Sequence, residues 1–124
     1  MSDELVLLAE DDPGVRRFVA RALQQCGYRV LIAVDGEDAL ELFAAHREEI
    51  DLVVCDLAMP RRDGRQLLEA VRREAPLLPA ILMSGHGGFD EEPCLPSGVG
   101  LLPKPFLPED LAVAARRALD AARR

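Results

Sequence analysis

Short runs of consecutive apolar residues recur along the chain, and most end in an acid, a serine or a lysine set between prolines. The first, LVLLA at 5–9, shows no polar alternation, the pattern of a central parallel strand covered on both faces. Similar runs at 28–34, 50–55, 79–83 and 99–102 predict four further strands. Between them, apolar positions return at helical spacing. Val15, Phe18, Val19, Ala22 and Leu23 mark a helix over 14–26, and Ala39, Leu40, Leu42 and Phe43 one over 37–46. Leu67, Leu68 and Val71 place a third over 65–74, and Leu111, Val113, Ala114, Ala118 and Leu119 a last one over 108–122. Gly27 is a C-terminal stop, Asp35-Gly36 a turn, and Pro108 a first-turn residue, while Pro76 and Pro79 bracket the exit of the third helix.

The segment 84–98, SGHGGFDEEPCLPSG, interrupts this rhythm, and its glycines and prolines leave room only for a short helix around 89–95. Five strands alternating with helices predict an α/β fold, a parallel sheet flanked by helices with right-handed crossovers and a shortened or irregular fourth helix. A length of 124 residues, 49% of them hydrophobic, matches one core, so a single domain over 1–124 is expected.

Acidic residues outnumber basic ones by 22 to 15, and the net charge of −7 argues against a nucleic-acid surface. The N-terminal stretch is acidic, with too short an apolar run for a secretory signal, and no run approaches the roughly 20 residues of a membrane span. The expectation is a cytoplasmic protein without membrane insertion. Cys26, Cys55 and Cys94 lack C-x-x-C spacing and are expected to be free, buried thiols rather than disulfide partners or zinc ligands.

Ligands of open parallel sheets bind outside the carboxyl ends of the strands, beside the point where strand order reverses. Glu10 and Asp11 follow the first strand, Asp56 the third, Ser84 the fourth and Lys104 the fifth, so residues far apart in sequence would meet at one edge. Gathered carboxylates repel, and a hard divalent cation with oxygen ligands relieves that repulsion most directly, with magnesium the natural candidate. The ammonium of Lys104 and the hydroxyl of Ser84 supply donors for phosphoryl oxygens. Asp12 fits better as the cap of the first helix. His46 has the setting of a surface residue, and His86 lies near Ser84 without a second ligand at metal-binding spacing.

The segments LLAEDDP, VVCDLAMPRRDG, ILMSG and LLPKPF, in this order and on the expected strands, resemble the response-regulator receiver family along essentially the whole chain. The resemblance implies a flavodoxin-like sheet of order 2-1-3-4-5. It further implies that Asp56 is the phosphoacceptor, receiving its phosphoryl group from a histidine kinase. Glu10, Asp11, Asp56 and the backbone carbonyl of Ala58 would hold Mg2+, Ser84 would bind the phosphoryl group, and Lys104 would pair with its charge. Pro105 completes a Lys-Pro step that is often cis, and Met59, Pro60 and Gly64 match the loop shaping the acceptor side.

Two features depart from the common pattern. Receivers that signal through the last strand usually carry an aromatic residue three positions before the lysine, and Leu101 stands there instead. This leucine, with SGHG after the fourth strand and the shortened fourth helix, is similar to the receivers of hybrid histidine kinases; a stand-alone receiver is the other form. The kinase and the output protein remain open. Two other functions compete: a pseudo-receiver acting as a phosphorylation-independent binding module, which typically lacks one of the acids, the acceptor or the lysine, and a haloacid-dehalogenase-like phosphatase. The latter needs a second Asp two residues after its nucleophile to protonate the leaving group, and Ala58 occupies that place.

Overall fold

The computed structural model describes residues 3–59, 61–85 and 95–122. Its elements are β1 (Leu5–Ala9), α1 (Pro13–Gln25), β2 (Arg29–Ala33), α2 (Gly36–His46), β3 (Ile50–Asp56), α3 (Gly64–Glu74), β4 (Ala80–Ser84), β5 (Val99–Pro103) and α4 (Pro108–Ala122). The strands pair in parallel in the order β2-β1-β3-β4-β5, the flavodoxin-like order. Each element lies within two residues of its expected bounds. The short helix expected around 89–95 falls almost wholly outside the described residues.

The continuous apolar runs have a direct cause, since β1 is buried at every position and alternate side chains enter two different cores. Leu5, Leu7 and Ala9 face α2 and α3, meeting Ala39, Phe43, Leu67, Leu68 and Val71. Val6 and Leu8 face α1 and α4, meeting Val19, Leu23, Leu111, Ala115 and Leu119. Strand β3 divides in the same way, with Val53 and Cys55 on one side and Leu52 and Val54 on the other. The edge strands β2 and β5 are only partly covered, and Ile32 of β2 is half-exposed.

The helix starts are fixed by acids. Asp12 caps α1 as expected, accepting from the N–H groups of Gly14 and Val15 at 2.8 and 3.1 Å. Asp35 caps α2 through the Asp38 N–H. Asp63 and Gln66 exchange side-chain-to-backbone bonds at 2.9 and 3.0 Å, a capping box at the start of α3. Gly27 adopts φ +94°, the left-handed conformation that ends α1.

One expectation needs correction. Cys55 is buried and free, but Cys26 is exposed, because it forms the C-cap of α1 beyond the last inward-facing turn at Leu23; Cys94 lies outside the described residues. Val113 is 50% exposed, and the buried stripe of α4 is Leu111, Ala115 and Leu119, spaced one turn apart. Phe18 is 41% exposed and rests against Phe106, with ring centroids 6.1 Å apart. Among the described residues no helix is long and apolar enough to cross a membrane.

Among the described residues Phe43 is the largest fully buried side chain, and it fills the core between α2 and the sheet. Phe43→Ala is expected to destabilise the domain by about 3–5 kcal/mol, measured as a lowered urea midpoint with an unchanged slope.

Candidate functional site

The order of the sheet places the ends of β1 and β3 side by side, with β4 next to β3. Glu10 leaves β1 with its N–H donated to the Ala33 carbonyl at 3.2 Å, so β2 fixes where its side chain begins. Asp56 is the last residue of β3, paired in register with Met83, and Ser84 is the buried last residue of β4. Carboxylate oxygens of Glu10, Asp11 and Asp56 lie within 4.8 Å of one another. Glu10 is completely buried and Asp56 nearly so, whereas Asp11 is exposed.

Lys104 closes the cluster. Its backbone N–H is tied to the Ser84 carbonyl at 2.8 Å, the Lys104–Pro105 bond is cis, and its ammonium donates to Glu10 Oε1 at 3.0 Å and Asp56 Oδ2 at 2.8 Å. The second oxygens are also engaged, Glu10 Oε2 by the Asp12 N–H at 3.1 Å and Asp56 Oδ1 by the Ala58 N–H at 3.2 Å. All five residues expected to meet at the sheet edge are therefore there, with Ala58 beginning the loop beyond Asp56. Of the loop residues, Met59 is buried, Gly64 packs against the Asp56 carbonyl, and Pro60 lies outside the described residues. His46 pairs with Glu49 on the surface at 3.0 Å, far in sequence from these groups, and His86 lies outside the described residues.

The electrostatics follow from burial. Removal from water pushes the Glu10 carboxyl up to about 7, with the Asp56 charge adding to the rise and the bonds from Asp12 and Lys104 opposing it. Burial pulls the Lys104 ammonium down, but bonds to Asp56 and Glu10 outweigh it and the net shift is upward. Burial likewise pushes the Cys55 thiol up, reinforced by the charges of Asp56 and Asp63, so it stays protonated and unreactive. Three carboxylates against one ammonium leave an excess of negative charge. That excess, with oxygen donors at such spacing, suits a hard divalent cation.

Arg16 was not singled out by motif or spacing, yet it steadies the acidic turn. From the first turns of α1 its guanidinium reaches back and donates to the backbone carbonyls of Glu10 at 3.1 Å and Asp11 at 3.3 Å. The only signal in the sequence is a basic residue one helical turn past the Asp12 cap.

The profile of the response regulator receiver domain matches residues 6–116. The chain belongs to this family. Receiver domains are signalling domains of two-component systems. The relatives include sensor kinase CckA of Brucella abortus, 39% identical over 117 residues that make up 93% of this chain and 12% of the relative. Response regulator MprA of Mycolicibacterium vanbaalenii is 38% identical over 92% of this chain and 49% of its own length. The receiver thus spans half or less of these curated relatives. Among solved structures, the receiver domain of the hybrid histidine kinase CckA is 36% identical with a TM-score of 0.80, covering 93% of this chain and 98% of that one. A response regulator receiver protein from Sinorhizobium medicae is 26% identical with a TM-score of 0.88, covering 98% of both chains.

The raised Glu10 carboxyl has a measurable consequence in the receiver free of metal. Folding favours its protonated form, so its contribution to stability is present below the ordinary value of 4.5 and is lost as pH rises towards 7. Compared with Glu10→Gln in chelator-treated buffer, the wild type is expected to lose about 1 kcal/mol or more across that interval, measured by urea unfolding at stepped pH.

Proposed function

We propose that this receiver is a phosphoacceptor of a two-component phosphorelay, taking a phosphoryl group on Asp56 from the phosphohistidine of a histidine kinase. The observation that carries the reading is the meeting of Glu10, Asp11 and Asp56 within 4.8 Å while Lys104 binds Asp56 at 2.8 Å. Mg2+ would be held by Glu10, Asp11, Asp56 and the carbonyl of Ala58. When bound, the ion neutralises charge on the phosphoryl oxygens during transfer.

The chain's own groups divide the remaining work. An oxygen of Asp56 attacks phosphorus in line, forming the O–P bond as the N–P bond to the kinase imidazole breaks, and the imidazole nitrogen keeps the electron pair. Lys104, anchored by its backbone to Ser84, stays beside the acceptor carboxylate to pair with the added charge. Ser84, rigid at the end of β4, offers its hydroxyl to a phosphoryl oxygen. Glu10 is buried beneath them, and Arg16 holds the backbone of the acidic turn in place.

Neither competing function gains support from this geometry. Every group that a pseudo-receiver typically lacks is present and assembled, and the methyl of Ala58 offers no proton to a leaving group. The resemblance to a hybrid-kinase receiver is consistent with the CckA relatives.

Incubation with acetyl phosphate or a phosphorylated kinase in magnesium buffer is expected to add one phosphoryl mass to the wild type, none to Asp56→Ala, and little when magnesium is chelated. Equal uptake by Asp56→Ala would overturn the assignment. Ala58 also has no polar group to orient a hydrolytic water, so Ala58→Asn is expected to shorten the lifetime of the phosphorylated form several-fold, roughly 1 kcal/mol in barrier. Decay of radiolabelled protein measures it.

A further inference from the structure

The loop between β3 and α3 is anchored on both sides. At its base the Gly64 N–H donates to the Leu57 carbonyl at 3.0 Å, and the Leu57 N–H donates to the Met83 carbonyl at 2.8 Å. A Cβ on Gly64 would lie 2.5 Å from the Asp56 carbonyl oxygen, so loop and acceptor strand are in the closest contact a residue without a side chain allows. Its outer side rests on α2. A Cβ on Gly36 would lie 2.2 Å from the Arg62 carbonyl oxygen and 2.7 Å from Arg62 Cβ.

Ionic contacts flank this second approach. Arg62 Nε donates to Glu37 Oε1 at 3.1 Å, and Arg61 Nε lies 3.8 Å from Asp35 Oδ2, the α2 cap. Arg61 itself holds φ +70°, a left-handed conformation costly for a residue with a side chain and kept only where surroundings enforce it. The half-exposed ion pairs are worth little as stability. The backbone contact at Gly36 is the stiff part, and the pairs give it direction.

We infer that Gly36, with the Arg62–Glu37 pair beside it, is a positioning element: the start of α2 sets where the β3–α3 loop, and with it Ala58, lies relative to Asp56 and the acidic cluster. The effect on metal affinity rests on the phosphoacceptor reading, whereas the effect on loop position does not. Among the described residues no hydrogen bond or ion pair joins Gly36, Glu37 or Arg62 to Glu10, Asp11 or Asp56, so their influence runs through the loop.

The test follows backbone amide resonances of the whole chain, first without metal and then through a magnesium titration. Gly36→Ala is expected to shift the Ala58 and Arg62 amides while those of Val19 and Leu111, on the opposite face, stay in place, and to weaken magnesium binding by about ten-fold. Should Gly36→Ala fail to fold, Arg62→Glu provides the second variant. It is expected to shift the Ala58 amide, and combination with Glu37→Arg to return it towards the wild-type position. A general structural defect would not be repaired by that charge exchange. An Ala58 amide unmoved in the variants, or moved without rescue by the exchanged pair, overturns the inference. A wild type indifferent to magnesium sinks the metal reading instead, and the metal-free shifts still decide the positioning role.

Discussion

Two carboxylates buried at the tops of adjacent strands repel each other, and one ammonium shared between them is the contact on which this site depends. Lys104 lies at 3.0 Å from Glu10 and 2.8 Å from Asp56, while Asp11 adds a third negative charge at the rim. A buried carboxylate without such a partner would be strongly destabilising, and even with it Glu10 resists ionisation. The arrangement is stable enough to fold yet short of positive charge. That deficit is a physical reason for the site to welcome a divalent cation, since a cation would repay a cost already present in the fold.

The fold supplies this cost through its connectivity. A parallel sheet aligns the carboxyl ends of all strands on one edge, and the order β2-β1-β3-β4-β5 makes β1 and β3 neighbours although α1, β2 and α2 separate them in sequence. Each contributor is pinned by backbone bonds that use no functional side-chain atom: Glu10 by β2, the loop beyond Asp56 by the Met83 carbonyl, and Lys104 by the Ser84 carbonyl. The ionisable groups can therefore change partners without the strands moving. Rigid backbone beneath adaptable side chains lets such a site accommodate a cation without moving its strands.

The central strands and the acids at their ends were legible in the amino-acid sequence because one physical situation produces both. A strand covered by helices on two faces must be apolar throughout, as in LVLLA, and polar residues can return only where it emerges. The Asp12 cap was readable for a similarly local reason. The exposure of Cys26 is a local matter, since it caps α1 beyond the last inward-facing turn, and on α4 the one-turn spacing of Leu111, Ala115 and Leu119 leaves Val113 off the buried face. The Asp63–Gln66 box was available as an acid followed three residues later by Gln, a signal obscured by the loop motif around it. The contact of Gly36 with Arg62 has no local signature, since it joins residues brought together only by folding, whereas the Arg16 contacts are local and marked only by a basic residue one turn past the cap.

Leu101 shows how the same core constrains communication away from the site. It is half-buried on the edge strand, pairs with Leu82 in register, and packs into the core shared by α2 and α3. An aliphatic side chain held there has no polar tip with which to follow a movement of Ser84, so a change of charge at Asp56 finds no matching ring on β5. Among the described residues, the polar contacts that link the cluster to the surface run through Lys104 and its turn, through Arg16 on α1, and through the loop resting on α2. Of these, the ammonium is the most responsive element: its two bonds go to different carboxylates, and any gain of negative charge at Asp56 draws it away from Glu10. The loss falls on a fully buried acid, so the ionisation of Glu10 is coupled to the charge at Asp56 through the ammonium they share.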